Sequence, residues 1–153
     1  MKTQPTFDDA NLILRLYELR REEKLRAARK WFANAPQFTS REQWLQHCKP
    51  GSEENAYFRM VTSYWDMAAS FVATGILNSE LFYRANNQEL LFVWVKVEKI
   101  VGEMREASKN AIYWASMEEI ANGYIEYMHQ HAPGMYEQFA ANIAKTGQPV
   151  VTR

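Results

Sequence analysis

The clearest helical pattern in the chain is EENAYFRMVTSYWDMAASFVATG, which spans residues 53–75. Ser52 stands where an N-cap residue belongs, and Gly75 stands where a left-handed C-terminal residue belongs. At about 100° per residue one helical face is apolar, while the opposite face carries only two charges, Arg59 and Asp66. The apolar face contains Tyr57, Met60, Val61, Tyr64, Met67, Ala68 and Phe71. The pattern predicts a mostly enclosed central helix.

The rest of the chain is also helical in pattern. Proline is absent from residue 51 to residue 132, and because helix interiors rarely tolerate proline, this favours long helices. We predict further helices near 7–32, 40–48, 79–85, 88–107 and 110–129, and a last one from Pro133 to about Gly147. The Thr39 and Glu42 spacing predicts a capping box at the second of these. The predicted fold is all-α, a single-domain bundle of five to seven helices over residues 1–147, with a flexible tail at 148–153.

Two of these helices carry more apolar residues than one stripe needs. The predicted inward face of the first helix, which Thr6 caps, consists of Ala10, Ile13, Leu14, Tyr17, Ala28, Trp31 and Phe32. A second stripe is formed by Leu12, Leu16 and Leu19. The charged run at 20–24 interrupts the pattern, so we expect either a break there or long side chains that reach solvent.

The segment 88–107 has the second surplus. Its predicted inward face consists of Leu90, Val93, Trp94, Val97, Ile100, Val101 and Met104. Lys96, Lys99 and Glu103 fall on the opposite face, which we expect to be solvated. Leu91, Phe92 and Val95 lie off the main face and need a second partner surface.

Composition excludes several classes of protein. The 153 residues include 18 Lys plus Arg and 18 Asp plus Glu, so no net charge gathers nucleic acid or anionic lipid. The neutrality is a sum of halves: residues 1–50 have 10 basic and 6 acidic groups (+4), and residues 51–153 have 8 and 12 (−4). The single cysteine excludes an internal disulfide framework and suits a reducing compartment. The longest uncharged segment has 13 residues, too few for a membrane span, so we predict a cytoplasmic protein.

Two segments carry a resemblance. LILRLYELRR at 12–21 and YFRMVTSYWD at 57–66 resemble a group of small bacterial helical proteins with no assigned activity. The resemblance covers about the first hundred residues. It implies an all-α bacterial protein and transfers no catalytic residue.

Motifs for chemistry are weak. The glycine spacing excludes GxGxxG and Walker A loops, and GxSxG and HExxH are also absent. Glu126 and His129 have an ExxH spacing, but a di-iron bundle needs two such motifs and two further glutamates. His47 and Cys48 are adjacent and diverge by about 100° on a helix, which disfavours a catalytic dyad. The basic run from Arg15 to Lys30 is interpreted as a solvated helical face rather than a nucleic-acid contact. We therefore predict no catalytic residue, no metal and no cofactor.

Arg59 and Asp66 have two interpretations. An aspartate on an enclosed helix needs a partner, so in the first interpretation Asp66 forms a structural ion pair with Arg59 or with an arginine of the first helix. In the second they are the polar end of a ligand pocket. The predicted binding residues of that pocket are Tyr57, Arg59, Tyr64, Trp65, Asp66 and Trp94.

The predicted function follows from the surplus apolar stripes. We predict a non-enzymatic cytoplasmic helical interaction module that binds a protein partner or a second copy of itself. The alternative is a protein that binds a small amphipathic ligand in the aromatic pocket near Arg59 and Asp66. An enzyme that uses Glu126 and His129 is the third hypothesis.

Overall fold

A computed structural model describes residues 4–146, and these are helical with no strand. Their elements are α1 (Phe7–Arg20), α2 (Glu23–Asn34), α3 (Arg41–His47), α4 (Glu53–Ala73), α5 (Ser79–Arg84), α6 (Gln88–Val97), a 3-10 turn (Glu98–Ile100), α7 (Val101–Ser108), α8 (Ala115–His131) and α9 (Met135–Ala144). The all-α class is confirmed. The count of five to seven helices was too low, because the predicted helices at 7–32 and 88–107 are each divided in two. The predicted tail at 148–153 lies outside the described residues.

The break between α1 and α2 falls inside the charged run at 20–24. Arg21 ends α1, and the carboxylate of Glu22 accepts hydrogen bonds from the backbone N–H groups of Lys24 at 3.1 Å and Leu25 at 3.0 Å. Glu22 therefore supplies the N-cap that restarts the helix. Of the two expectations for this run, the break is confirmed.

The central helix α4 packs between α2 and α8. Ser52 caps it by accepting from the N–H of Asn55 at 3.1 Å, and Gly75 adopts the expected left-handed conformation with φ of +81°. Its inward face is rotated from the predicted one, since Met67 is 40% exposed. The buried side chains are Phe58, Val61, Thr62, Tyr64, Trp65, Ala68, Ala69 and Val72. The rotation arises because α4 has neighbours on two sides, so the buried arc is wider than a single stripe.

Helix α6 is buried almost all round. The predicted face is inside, and Leu91 and Val95, which needed a second partner surface, are inside as well. Lys96 was predicted to face solvent, and that prediction was wrong: the residue is completely buried. Its ammonium donates to the carbonyl oxygens of Phe32 at 2.8 Å, Ala33 at 3.0 Å and Ala35 at 2.5 Å. Lys96 therefore caps the C-terminus of α2, where unpaired carbonyls and the negative end of the helix dipole favour a cation.

Three helix starts differ from prediction. Ser40, not Thr39, caps α3, and its hydroxyl accepts from the N–H of Gln43 at 3.1 Å. Helix α8 starts at Ala115, because residues 110–114 form a turn. Pro133 lies outside α9, which follows Gly134 in a left-handed conformation. Ser40 is as good a capping residue as its neighbour Thr39, whereas Trp114 and Gly134, at the N-cap positions of α8 and α9, make no side-chain cap that spacing could indicate.

The buried side chains form one hydrophobic cluster to which every α-helix except α1, α3, α5, α7 and α9 contributes several residues. Those five contribute Leu16, Trp44, Phe82, Met104 and Ile143, one each. Among residues 4–146, none of the helices is long and apolar enough to cross a membrane.

Candidate functional site

The predicted pocket residues do not come together as one pocket. Trp65 and Trp94 are core residues, and Tyr64 is buried with its hydroxyl donating to the carbonyl oxygen of Leu16 at 2.5 Å. The guanidinium of Arg20 lies 5.1 Å from the ring centre of Trp65. Tyr57 lines a different cleft from Arg59 and Asp66. The spacing on α4 identified aromatic residues correctly but not the direction in which they point.

Arg59 and Asp66 do share a groove. It has a volume of about 730 Å³ and lies between α4 and the turn that leads into α8. Its aromatic wall consists of Tyr113 and Trp114, which the sequence did not indicate, since no spacing rule connects them to α4. Ile112, 74% exposed, lies at its edge. The groove thus has the two predicted charges and a different pair of rings.

The predicted ion pair between Arg59 and Asp66 is not among the salt bridges of the described residues. Instead Asp66 Oδ1 accepts a hydrogen bond from the backbone N–H of Met117 at 3.0 Å. Helix α8 has no side-chain cap of its own, because Trp114 holds the N-cap position in a left-handed conformation with φ of +55°. Asp66 therefore caps α8 from a neighbouring helix.

Burial and nearby charges change the pKa values of two groups in this groove. Burial raises the pKa of Asp66 above its ordinary value, and the hydrogen bond from Met117 acts in the opposite direction. Burial also raises the pKa of Tyr113, with Arg59 lowering it and Asp66 raising it. Both charged groups are therefore close enough to influence the Tyr113 hydroxyl.

A second surface feature is an apolar face of α1 that points to solvent. We call it the α1 face and define it by Phe7, Ala10, Leu14 and Tyr17, spaced by three, four and three residues. Phe7 is 89%, Leu14 59% and Tyr17 51% exposed. This is the spacing of a seam between two paired helices. The helical pattern predicts Ala10, Leu14 and Tyr17 on the inward side, and for Leu14 and Tyr17 this prediction is wrong.

The other side of α1 is fixed by polar contacts. Its buried residues are Asp9, Leu16 and Arg20. Asp9 Oδ1 accepts from the N–H of Asn78 at 3.0 Å, and Asp9 Oδ2 accepts from the N–H of Thr6 at 2.6 Å. Asp9, near the start of α1, contacts Asn78, which follows the end of α4. Leu16, later in α1, contacts Tyr64 near the middle of α4. Helix α1 therefore runs antiparallel to α4. These contacts hold the α1 face outward.

The other chemical candidates are engaged in local structure. Burial, with a smaller effect of Glu54, raises the pKa of the Cys48 thiol to about 12, so a reactive thiolate is disfavoured. His129 Nε2 lies 2.8 Å from a carboxylate oxygen of Glu137, and His131 Nδ1 lies 2.8 Å from the carbonyl oxygen of Tyr127. Within residues 4–146, no group of three His, Cys, Asp or Glu side chains is arranged to hold a metal ion.

The basic run from Arg15 to Lys30 is divided between different surroundings. Arg20 is buried against Trp65, and Arg29 forms an ion pair with Glu89 at 2.6 Å. Arg15 lies 3.7 Å from Glu18 on the surface. The run therefore does not present one continuous row of cations.

The fold defines a small all-helical protein with an exposed apolar helix face and several surface grooves. A family model described as "Domain of unknown function (DUF4760)" matches residues 5–124, so the chain belongs to the DUF4760 family. Comparison with curated proteins and with solved structures gives no match. The family match includes α1, α4 and both charged residues of the groove.

Proposed function

We propose that this protein is an interaction module that self-associates through the α1 face. The observation that supports this proposal is the exposure of Phe7, Leu14 and Tyr17 along one line of a helix whose opposite side is anchored in the core. An exposed apolar seam of this kind is typical of helix pairing.

The α1 face suits a second copy in the antiparallel direction. A two-fold axis near residue 12 places Phe7 opposite Tyr17 of the second copy, and Ala10 opposite its Leu14. A small residue then meets a large one at the centre, which allows close approach. Glu18, 67% exposed at its side chain, faces the N-terminus of the second copy's α1, the positive end of that helix dipole. Shape and charge therefore both favour a symmetric pair.

The compartment belongs to the same proposal. A single buried cysteine, Cys48, suits a reducing environment, so we infer that the pair forms in the cytoplasm.

The first test is Leu14→Glu, which places a charge in the middle of the seam. We expect sedimentation velocity to give a dimer for the wild type and a monomer for the variant. Ile112→Glu is the matched control, because Ile112 is also a large apolar residue that is mostly exposed but lies beside the Arg59 groove. A wild type that stays monomeric at high concentration contradicts the proposal, as does a dimer that survives Leu14→Glu.

The second test concerns direction. In a Cys48→Ala background, Asn11→Cys lies beside the two-fold axis, so mild oxidation is expected to link two copies covalently. Glu18→Cys is the control, since residue 18 of one copy lies far from residue 18 of the other in an antiparallel pair. Efficient linkage through residue 18 and not through residue 11 contradicts the antiparallel arrangement.

A second candidate function is binding of a small amphipathic ligand in the Arg59 groove. The observation that favours it is the presence of Arg59, Asp66 and Tyr113 around one groove of about 730 Å³. Native mass spectrometry of the purified protein tests it. A retained small molecule that Arg59→Glu removes supports this function, and a bare polypeptide mass contradicts it.

A further inference from the structure

One further cleft in the described part of the chain belongs to neither surface above. It has a volume of about 930 Å³, within the usual range of small-molecule sites, and lies between α2, α3 and the first turns of α4. The residues that matter for its chemistry are Lys30, Trp31, His47, Lys49, Glu54 and Tyr57. It combines cations with aromatic rings.

The cations of the cleft are available to a ligand. Neither Lys30 nor Lys49 takes part in a salt bridge with another residue of the described range. Both side chains are exposed, and Glu54 is the acidic residue that lines the same cleft. Among the lining side chains two ammonium groups stand against one carboxylate, while the carboxylate of Glu53 binds the Tyr57 hydroxyl outside the lining. The lining is therefore positive in a chain whose total charge is zero. This favours an anionic ligand.

Lys96 offsets the negative potential that the C-terminus of α2 brings to this cleft. The C-terminus of α2 lies at this cleft, since Asn34 and Ala35 line it, and a helix C-terminus carries negative potential. Lys96 donates to three carbonyl oxygens there, including that of Ala35 at 2.5 Å. The buried ammonium neutralises the end of α2, so that the potential of Lys30 and Lys49 is not cancelled.

The rings form a fixed wall. Trp31 and Tyr57 are half-buried, with ring centres 6.3 Å apart and planes inclined by 42°. The Tyr57 hydroxyl donates a hydrogen bond to a carboxylate oxygen of Glu53. The rings of Trp31 and Phe32 pack edge to face, with their centres 6.3 Å apart. Both rings are held before any ligand arrives, which reduces the entropic cost of stacking a planar group against them.

The opposite wall is also held. The Ser52 hydroxyl donates to the carbonyl oxygen of Lys49 at 2.6 Å, and the Asn55 amide donates to that of Cys48 at 3.1 Å. The loop that carries Lys49 is thereby tied to the first turn of α4. The backbone at Lys49 is therefore held in a fixed position relative to α4, which carries Tyr57.

We propose that this cleft binds a small anion with a planar aromatic ring, whose acidic group lies between Lys30 and Lys49 and whose ring packs against Trp31 and Tyr57. This site goes beyond the proposed self-association, because α1 contributes nothing to it. It also differs from the Arg59 groove, which lies along a different part of the exposed surface of α4.

The test uses 8-anilinonaphthalene-1-sulfonate as the probe, an anion with planar rings. We compare the wild type with Lys30→Glu/Lys49→Glu at low salt, following probe fluorescence. Lys24→Glu/Lys99→Glu is the matched control, because it changes the net charge equally at two exposed residues outside the cleft. We expect the first double variant to bind the probe at least about 10-fold more weakly and the control to bind within about 2-fold of the wild type. Equal weakening in both variants overturns the site.

A second measurement locates the probe. Backbone amide chemical shifts are expected to change at residues 27–57 and not at 59–66 or 110–114. Changes centred on the Arg59 groove or on the α1 face overturn the proposal even if binding is tight. Leu14→Glu is expected to bind the probe as the wild type does, so that failure of this site and failure of self-association are distinguishable.

Discussion

Helices α6 and α1 both have more apolar residues than one stripe requires, yet α6 is enclosed by protein whereas α1 leaves large apolar side chains exposed to solvent. Helix α6 buries nearly all of its apolar residues, with Phe92 half-buried, and it buries even its lysine. Helix α1 buries an aspartate and an arginine while Phe7, Leu14 and Tyr17 remain in solvent. Apolar content therefore does not decide which helix is enclosed.

Neighbours and polar partners account for the difference. Helix α6 packs against α4, α8 and α9, so every direction around it meets protein. Helix α1 lies on the surface, and its orientation is set by Asp9, by the Tyr64 hydrogen bond to Leu16 and by the contact between Arg20 and Trp65. Because a buried polar group without a partner is costly, a few such contacts outweigh the position of the apolar stripe.

The largest effect is expected at Lys96. Lys96→Met keeps the length of the side chain but removes the ammonium donor from three carbonyl oxygens at the end of α2, of which that of Phe32 keeps only the backbone N–H of Ala35. We expect the free energy of unfolding in urea to fall by about 3–5 kcal/mol. Lys99→Met, on the exposed side of the same segment, is the control and is expected to stay within about 0.5 kcal/mol of the wild type. Equal losses at both positions contradict the role given to Lys96.

Lys96 also predicts a pH dependence. Burial lowers the pKa of Lys96 to about 8, below its ordinary value of 10.5. Between pH 8 and pH 10.5 the unfolded chain binds more protons at this lysine than the folded protein does. The contribution of Lys96 to the free energy of unfolding therefore increases as the pH rises. The difference in unfolding free energy between wild type and Lys96→Met is expected to grow from pH 8 to 10.5 in urea melts. A difference that shrinks over this range contradicts the pKa direction.

A smaller effect is expected at Asp9, which anchors the inner side of α1. Asp9→Ala leaves the N–H groups of Asn78 and Thr6 without this acceptor. We expect a loss of about 2 kcal/mol in the free energy of unfolding. Asp8→Ala is the control, because Asp8 is exposed in the same helical turn and acts on the helix dipole alone. If Asp8→Ala costs as much, Asp9 is not the anchor that turns the α1 face outward.

Local signals in the sequence predicted local structure well. Thr6 and Ser52 cap α1 and α4 as expected, because a cap depends on residues three positions away. The inward face of α6 was also predicted, since its apolar residues are too numerous for any other choice.

Features that depend on distant residues were not predictable. Lys96 belongs to a polar pattern with Lys99 and Glu103, yet its partners are carbonyl groups of α2 more than sixty residues earlier. The rings beside Arg59 come from the turn before α8, and the outward direction of Leu14 is set by Asn78 and Tyr64 acting on other residues of α1. Helical periodicity contains no information about such partners.

The smallest effect is expected at Tyr64, which binds the middle of α1 to α4. Tyr64→Phe removes a single hydrogen bond to Leu16 and should cost about 1 kcal/mol, whereas Tyr17→Phe, on the exposed α1 face, should cost almost nothing. Burial raises the pKa of Tyr64 to about 12 from an ordinary value of 10.0, so the folded protein holds this proton more tightly than the unfolded chain does. The stability that the hydroxyl contributes is therefore complete below pH 10 and is lost between pH 10 and 12, since a phenolate has no proton to donate. Urea melts of wild type and Tyr64→Phe should converge over that range. If they run parallel, another contact holds the inner side of α1 and the outward direction of its apolar face has a different cause.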